Sequence, residues 1–208
     1  MGKLVSTVFV TLDGVYQAPA GPQEDPRGGF EQGGWSFPYG DEDFGRFIHE
    51  VFDRAGAFLL GRRTYDIFAS FWPTVTDPAD PVASRLNALP KYAVSSSLTD
   101  PDWAGTTVIG GDLAKEVTVL KERTDGELQV HGSGALVRSL LALDLVDTIH
   151  VLTFPVVLGA GLRLFSEGGV PTAFRHTGGR VTAAGVSIQS YDPAGRPEYG
   201  SYALPENA

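Results

Sequence analysis

The chain of 208 residues contains no cysteine, so neither a disulfide framework nor a thiolate metal site can form. Its four histidines, His49, His131, His150 and His176, are dispersed without metal-ligand spacing, and no metal site is expected. Basic residues are scarce: 16 Lys and Arg stand against 25 Asp and Glu, for a formal net charge of -9. They form no run or stripe, which is the wrong footprint for a nucleic-acid binder. No segment approaches the roughly 18 apolar residues of a membrane span. The opening "MGKLVSTVFVTLDG" also lacks the uninterrupted apolar stretch of a signal peptide. A soluble cytoplasmic protein with neither nucleic-acid nor membrane partners is expected. No repeat or domain boundary is evident, and a hydrophobic content of 42% suits one domain over residues 1–208.

What is present alternates between strand-like and helix-like segments. A strand over Leu4 to Thr11 leads into a Gly-, Pro- and acid-rich loop, Gln17 to Gly40, whose Trp35, Phe37 and Tyr39 give it something to pack with and suggest a lid. In "DEDFGRFIHEVFDRA", Phe44, Phe47, Ile48, Val51 and Phe52 recur at spacings of three and four, which predicts an amphipathic helix. A short strand, Ala57 to Leu60, ends at Gly61, and "RTYDIFASFW" reads as a helix that Pro73 helps to close. The proline-rich segment Pro73 to Pro90 is expected to wrap the surface. Three short strands follow at Tyr92 to Ser95, Thr107 to Ile109 and Glu127 to His131, with helices near Asp112 to Arg123 and Ala135 to Leu143. "DTIHVLTFPVVLG" reads as a longer strand, and "GVSIQSYDPAGRPEYGSYAL" as a terminal hairpin turning at Pro193 to Gly195. Parallel pairing is expected early and antiparallel pairing at the end.

Three strand ends carry residues suited to phosphate. In "GRRT", Gly61 lets the backbone turn, Arg62 and Arg63 supply charge and Thr64 supplies a cap or a hydroxyl. "VSSS" offers the hydroxyls of Ser95, Ser96 and Ser97. In "VHGSGALV", Gly132 and Gly134 let the backbone approach a pyrophosphate at a helix N-terminus. Each also has a plainer reading, as a solvated arginine pair, turn serines and a partial glycine fingerprint. His131 is read as satisfied by backbone or as lying beside a cofactor. Gly159 and Gly161 read as a strand-to-loop turn.

The order of "TLDG", "GRRTYD", "VSSS" and "HGSG", together with "GGFEQGGWSFPY" and "VDTIHVLTFPVVLGAGLRLF", resembles the dihydrofolate-reductase-like bacterial proteins related to the reductase domain of riboflavin-biosynthesis enzymes. The resemblance runs from Lys3 to about Tyr202. It implies an α/β, three-layer fold: a mostly parallel central sheet flanked by helices, with an antiparallel C-terminal hairpin. It also implies NADPH as cofactor. Gly61, Arg62, Arg63 and Thr64 would then lie at its adenosine phosphate with Ser95 and Ser96. Gly132, Ser133, Gly134 and Ala135 would lie beneath its pyrophosphate, Ser133 standing where the true reductases usually have a glycine.

The resemblance further implies a substrate-side carboxylate on the first helix, for which Asp41, Glu42 and Asp43 are candidates; each also reads as a charge complementing the helix dipole. Asp13 in "TLDG" matches an aspartate of the riboflavin-type relatives or makes a simple Asp-Gly turn. Asp13 and Asp43 are the expected catalytic carboxylates. Gln17 and Trp35 of the loop, with Tyr65 and Trp72 of the short helix, are the expected substrate-side residues, although a helix face such as that of Tyr65, Phe68 and Trp72 is more often core than ligand stack. The implied function is an NADPH-dependent reductase transferring hydride to a flat heterocycle: a pterin, flavin or riboflavin-precursor-like molecule. A non-catalytic protein binding a nucleotide or a small aromatic compound is the alternative. A homodimer is expected from the resemblance and from the apolar Ile149 to Leu158, which would need cover at a sheet edge.

Overall fold

The computed structural model describes residues 2–202. One eight-stranded sheet runs through it, built from β1 (Lys3–Thr11), β2 (Ala55–Gly61), β3 (Lys91–Val94), β4 (Thr106–Ile109), β5 (Glu127–His131), β6 (Thr148–Phe154), β7 (Phe174–Val181) and β8 (Ser187–Pro193). Its order is β4-β3-β2-β5-β1-β6-β8-β7; the first six strands are mutually parallel, and β8 and β7 are added antiparallel. The helices are α1 (Glu42–Asp53), α2 (Arg62–Phe71), α3 (Pro81–Ala88), α4 (Leu113–Arg123) and α5 (Gly134–Ala142). No described helix is long and apolar enough to cross a membrane.

The central strands carry the apolar runs that a sheet covered on both faces requires. Leu4, Val8, Leu59, Leu128 and Val130 are buried with Val137 and Leu140 of α5 on one side. Phe47 and Val51 of α1 pack with Leu152 and Phe154 on the other. Asp41 starts α1 as its N-cap, accepting the Phe44 amide at 2.8 Å, and Asp112 caps α4 in the same way.

Three expectations change. Residues 73–90 do more than wrap the surface: Asp80 caps α3 by accepting the amides of Val82 and Ala83, Pro81 occupies its first turn, and Ala83 and Leu86 are buried. The terminal hairpin is displaced, because β8 pairs with the preceding β7 and the turn lies at residues 182–186. The polar, Gly-containing sequence of β7, "FRHTGGRV", hides the strand from an apolar pattern. Residues 194–202 form no strand, while Ala203 and Leu204 of the expected arm lie outside the described residues. Finally, Ile149 to Leu158 is no edge: β6 lies between β1 and β8 and ends before Pro155.

The segment Gln17 to Gly40 is ordered by its own side chains. Gln17 is buried and donates to the carbonyls of Asp25 and Arg27, both at 3.0 Å, while its Oε1 accepts the Leu162 amide. Trp35 donates from Nε1 to the Gln17 carbonyl and sets its ring edge-on to Phe154.

Candidate functional site

A cleft of about 790 Å³ opens at the carboxyl ends of β2 and β5 and along the second half of β1. One wall is made of Gly61, Arg62, Arg63 and Thr64 from the β2–α2 junction and Gly132, Ser133, Gly134 and Ala135 from the β5–α5 junction. Two crossed hydrogen bonds hold these junctions together: the Gly61 amide donates to Ser133 Oγ (3.0 Å) and the Ser133 amide to Thr64 Oγ1 (3.2 Å). Gly132 (φ 55) and Ser133 (φ 48) turn the chain through the left-handed region. A Cβ on Gly134 would come within 2.5 to 2.8 Å of the Tyr16 ring, so only glycine lets that ring close on the turn. Neither α2 nor α5 has a side-chain N-cap, which leaves first-turn amides available to an anion.

The arginines differ in their attachments. Arg62 Nε lies 2.9 and 3.0 Å from the Asp66 carboxylate oxygens, and its Nη1 donates to Ser97 Oγ at 3.3 Å. Arg63 Nε is buried 3.5 Å from Asp25 Oδ1 and makes no hydrogen bond. Burial raises the Asp25 carboxyl, but the hydrogen bonds of Arg27 and the charges of Arg27 and Arg63 outweigh it and hold the group below its usual range. Its neighbour Glu24 is raised by burial, against the opposing amides of Ala20 and Gly21.

The opposite wall is apolar, with Phe9, Phe44, Ile48, Phe52, Ile67, Phe68 and Trp72 facing the cleft, and Thr7 and His131 also line it. Burial beside Phe52 and, secondarily, the nearby His150 push the His131 imidazole down to about 3. Its Nε2 meets the Gln129 side-chain oxygen at 3.0 Å, where the sequence suggested a backbone partner.

Of the expected substrate-side residues, only Trp72 lines the cleft. Tyr65 is buried with its hydroxyl between Asp102 and the Trp103 amide, while Gln17 and Trp35 staple the loop. Asp13 is committed elsewhere. It accepts the Thr11 hydroxyl at 2.6 Å and the amides of Leu158 and Gly159, and it pairs with Arg163. The Thr11 bond and those amides hold its carboxyl at about 2. Glu42 is exposed and Asp43 half-buried, both pair with Arg46, and Asp41 caps α1. The acids that do line the cleft, Glu24, Asp25 and Asp66, come from the loop and α2. Ser95 turns its hydroxyl to the amides of Ser97 and Leu98, and neither Ser95 nor Ser96 lines the cleft.

Sequence reasoning missed Thr7, Phe9 and Asp25 at the site. No spacing signal in the chain marks them, because only the crossing of β1 and the return of the loop bring them to the cleft.

Residues 2–188 match the model of the RibD C-terminal domain. The chain belongs to the RibD C-terminal domain family. Among curated proteins it is similar to the uncharacterized protein YyaP of Bacillus subtilis (strain 168), at 24% identity over 79% of this chain and 81% of YyaP. Its fold is similar to that of a putative riboflavin biosynthesis protein from Shewanella sp. PV-4: TM-score 0.70, 20% identity, covering 93% of this chain and 99% of that one. It is also similar to a dihydrofolate reductase from Enterococcus faecalis complexed with NADP(H), with TM-score 0.57, 13% identity and coverage of 92% and 96%. In this RibD C-terminal domain the β2–α2 and β5–α5 junctions therefore sit on a dihydrofolate-reductase-like frame, at the strand ends where open α/β sheets bind ligands.

Proposed function

We propose that this protein is an NADPH-dependent reductase acting on a flat heterocyclic small molecule of the pterin, flavin or riboflavin-precursor type. The observation that carries the proposal is the division of one cleft into two walls. One presents uncapped helix N-termini and two arginines; the other is aromatic and aliphatic. The donors suit a phosphorylated dinucleotide: Arg63 Nε is a buried donor without an acceptor, and the Gly132–Gly134 turn lines the cleft. Arg62 and Arg63 would hold the phosphate on the adenosine ribose, and the amides at the start of α5 would hold the pyrophosphate. NADPH supplies the hydride when bound. The chain's own part is to orient and to exclude water: Phe44, Ile48 and Phe52 form a dry face for a flat ring, and Tyr16 covers Gly134. A cytoplasmic location and a homodimer belong to the same proposal.

A second reading, a binding protein without turnover, is favoured by one observation: no acid of α1 lines the cleft. Calorimetry with NADPH and NADH, followed by a screen of pterins and flavins for accelerated NADPH oxidation, separates the two. Preferential NADPH binding with turnover is expected. Binding without turnover supports the second reading, and absence of NADPH binding overturns the first.

A further inference from the structure

Beneath α1, β5 carries a buried polar pair that the reductase reading leaves unused. Gln129 and His131, two residues apart on one strand, share a face of the sheet. Gln129 Nε2 lies 2.6 Å from the Val51 carbonyl and 2.8 Å from Glu127 Oε2, whose other oxygen pairs with Arg54. Both partners only accept, so the nitrogen of the amide is assigned chemically and its oxygen is the atom that meets His131. An amide oxygen cannot donate, and therefore His131 Nε2 carries the proton. The ring is stacked on Phe52 with centroids 4.5 Å apart and planes at 18°, in surroundings that keep it neutral. A neutral imidazole protonated at Nε2 has a lone pair on Nδ1. That atom has no hydrogen-bond partner among the described residues, on a residue that lines the cleft.

The surroundings indicate what the lone pair is for. Thr7, the ladder partner of His131 in β1, lines the same cleft, and the cleft-facing residues of α1, Phe44, Ile48 and Phe52, offer no acceptor. We propose that His131 Nδ1 accepts a hydrogen bond from a ring N–H of the bound heterocycle, so that the cleft selects neutral, lactam-type rings. A carboxylate in this role would favour a protonated, cationic ring, whereas a neutral acceptor favours an uncharged donor. This assignment rests on the reading of the cleft as a heterocycle site.

The test uses the full chain labelled with nitrogen-15 histidine, the His131 signals being assigned by their loss in His131→Leu. A protonated Nε2 and a bare Nδ1 are expected. Addition of lumazine, a neutral lactam ring, should shift Nδ1 upfield; its N,N-dimethyl derivative, which lacks those N–H groups, should not. Calorimetry should show the derivative and the His131→Leu variant each weakening binding by about five- to a hundredfold, since either leaves a polar group unpaired in a dry site. In His131→Leu the difference between the two probes should shrink. A proton on Nδ1, equal affinity for both probes, or no lumazine binding overturns the assignment. NADPH titration forms a separate arm: a protein that meets the lumazine expectations but ignores NADPH overturns the reductase reading and spares His131.

Discussion

At the scale of single residues, Arg62 carries the sharpest consequence, because the phosphate proposed as its partner is present in NADPH and absent from NADH. A hydrogen bond to a charged group contributes about 1.5 to 3 kcal/mol, so Arg62→Ala should weaken NADPH binding by about ten- to a hundredfold and leave NADH nearly unchanged. Titration of both cofactors decides this, and equal losses would assign Arg62 to the shared pyrophosphate or to the loop. Asp66, which holds Arg62 Nε at 2.9 Å, competes with any phosphate for it. Asp66→Asn should therefore tighten NADPH binding.

His131 makes a separate prediction about pH. Its folded-state pKa, about 3, lies below the ordinary 6.5, so between these values the unfolded chain binds more protons. The associated stability is complete above about pH 6.5 and is lost as the pH falls toward 3. Denaturant unfolding across that window should show a shallower slope for His131→Leu than for the parent. His150, also lowered mainly by burial, supplies part of the slope that remains.

At the scale of elements, α3 shows how much a short helix depends on its ends. Asp80 caps one end, and at the other the buried Lys91 donates to the carbonyls of Leu86 (2.8 Å), Asn87 (3.4 Å) and Leu89 (2.8 Å) beneath the Trp103 ring. Asp80→Ala should cost about 0.5 to 2 kcal/mol. Lys91→Ala, which leaves buried carbonyls unpaired, should cost about 1 to 3 kcal/mol for each that water cannot reach. Urea titration measures both, and a neutral Lys91→Ala would show that the carbonyls find water.

The loop at residues 17–40 likewise acts through its contacts. Trp35 is buried against Phe154, while Trp72 faces the cleft. Ligand-induced fluorescence change should therefore survive Trp35→Phe and disappear in Trp72→Phe. The reverse result would show that the loop moves as a lid.

At the scale of the whole molecule, the free surface of β6, β8 and β7 bears a groove of about 280 Å³ lined by Ile149, Val151, Phe165, Phe174 and Tyr191, with Phe165 58% exposed. Edge-to-edge pairing is discouraged at β7 by Arg175, Arg180 and a bulge between His176 and Gly178. The proposed homodimer therefore uses the face and not the edge. Light scattering should give twice 22.2 kDa for the parent and a monomer for Phe165→Asp. A monomeric parent at tens of micromolar protein sinks the proposal.

Much of this molecule was legible along the chain because the signals are local. Alternation of apolar runs with helical periodicity determined the six parallel strands, α1, α2, α4 and α5, and the two Gly-containing junctions at Gly61 and Gly132. Loop chemistry hid α3, whose eight residues begin at a proline, and polarity hid β7, whose surface needs no apolar stripe. Side-chain direction is where sequence reasoning stopped. Asp13, Asp43, Gln17, Trp35 and Tyr65 have suitable chemistry, but nearby amides, carbonyls, hydroxyls, carboxylates and arginines claimed each polar group first, and Trp35 and Tyr65 were drawn into the core. Thr7, Phe9, Asp25 and His131 meet at the cleft only because β5 is inserted between β2 and β1 and the loop folds back over them. A chain determines its elements through neighbours a few residues away. The tertiary structure alone decided which distant side chains share a dry cavity, because that depends on strand order and on which polar groups remain unpaired once the core has closed.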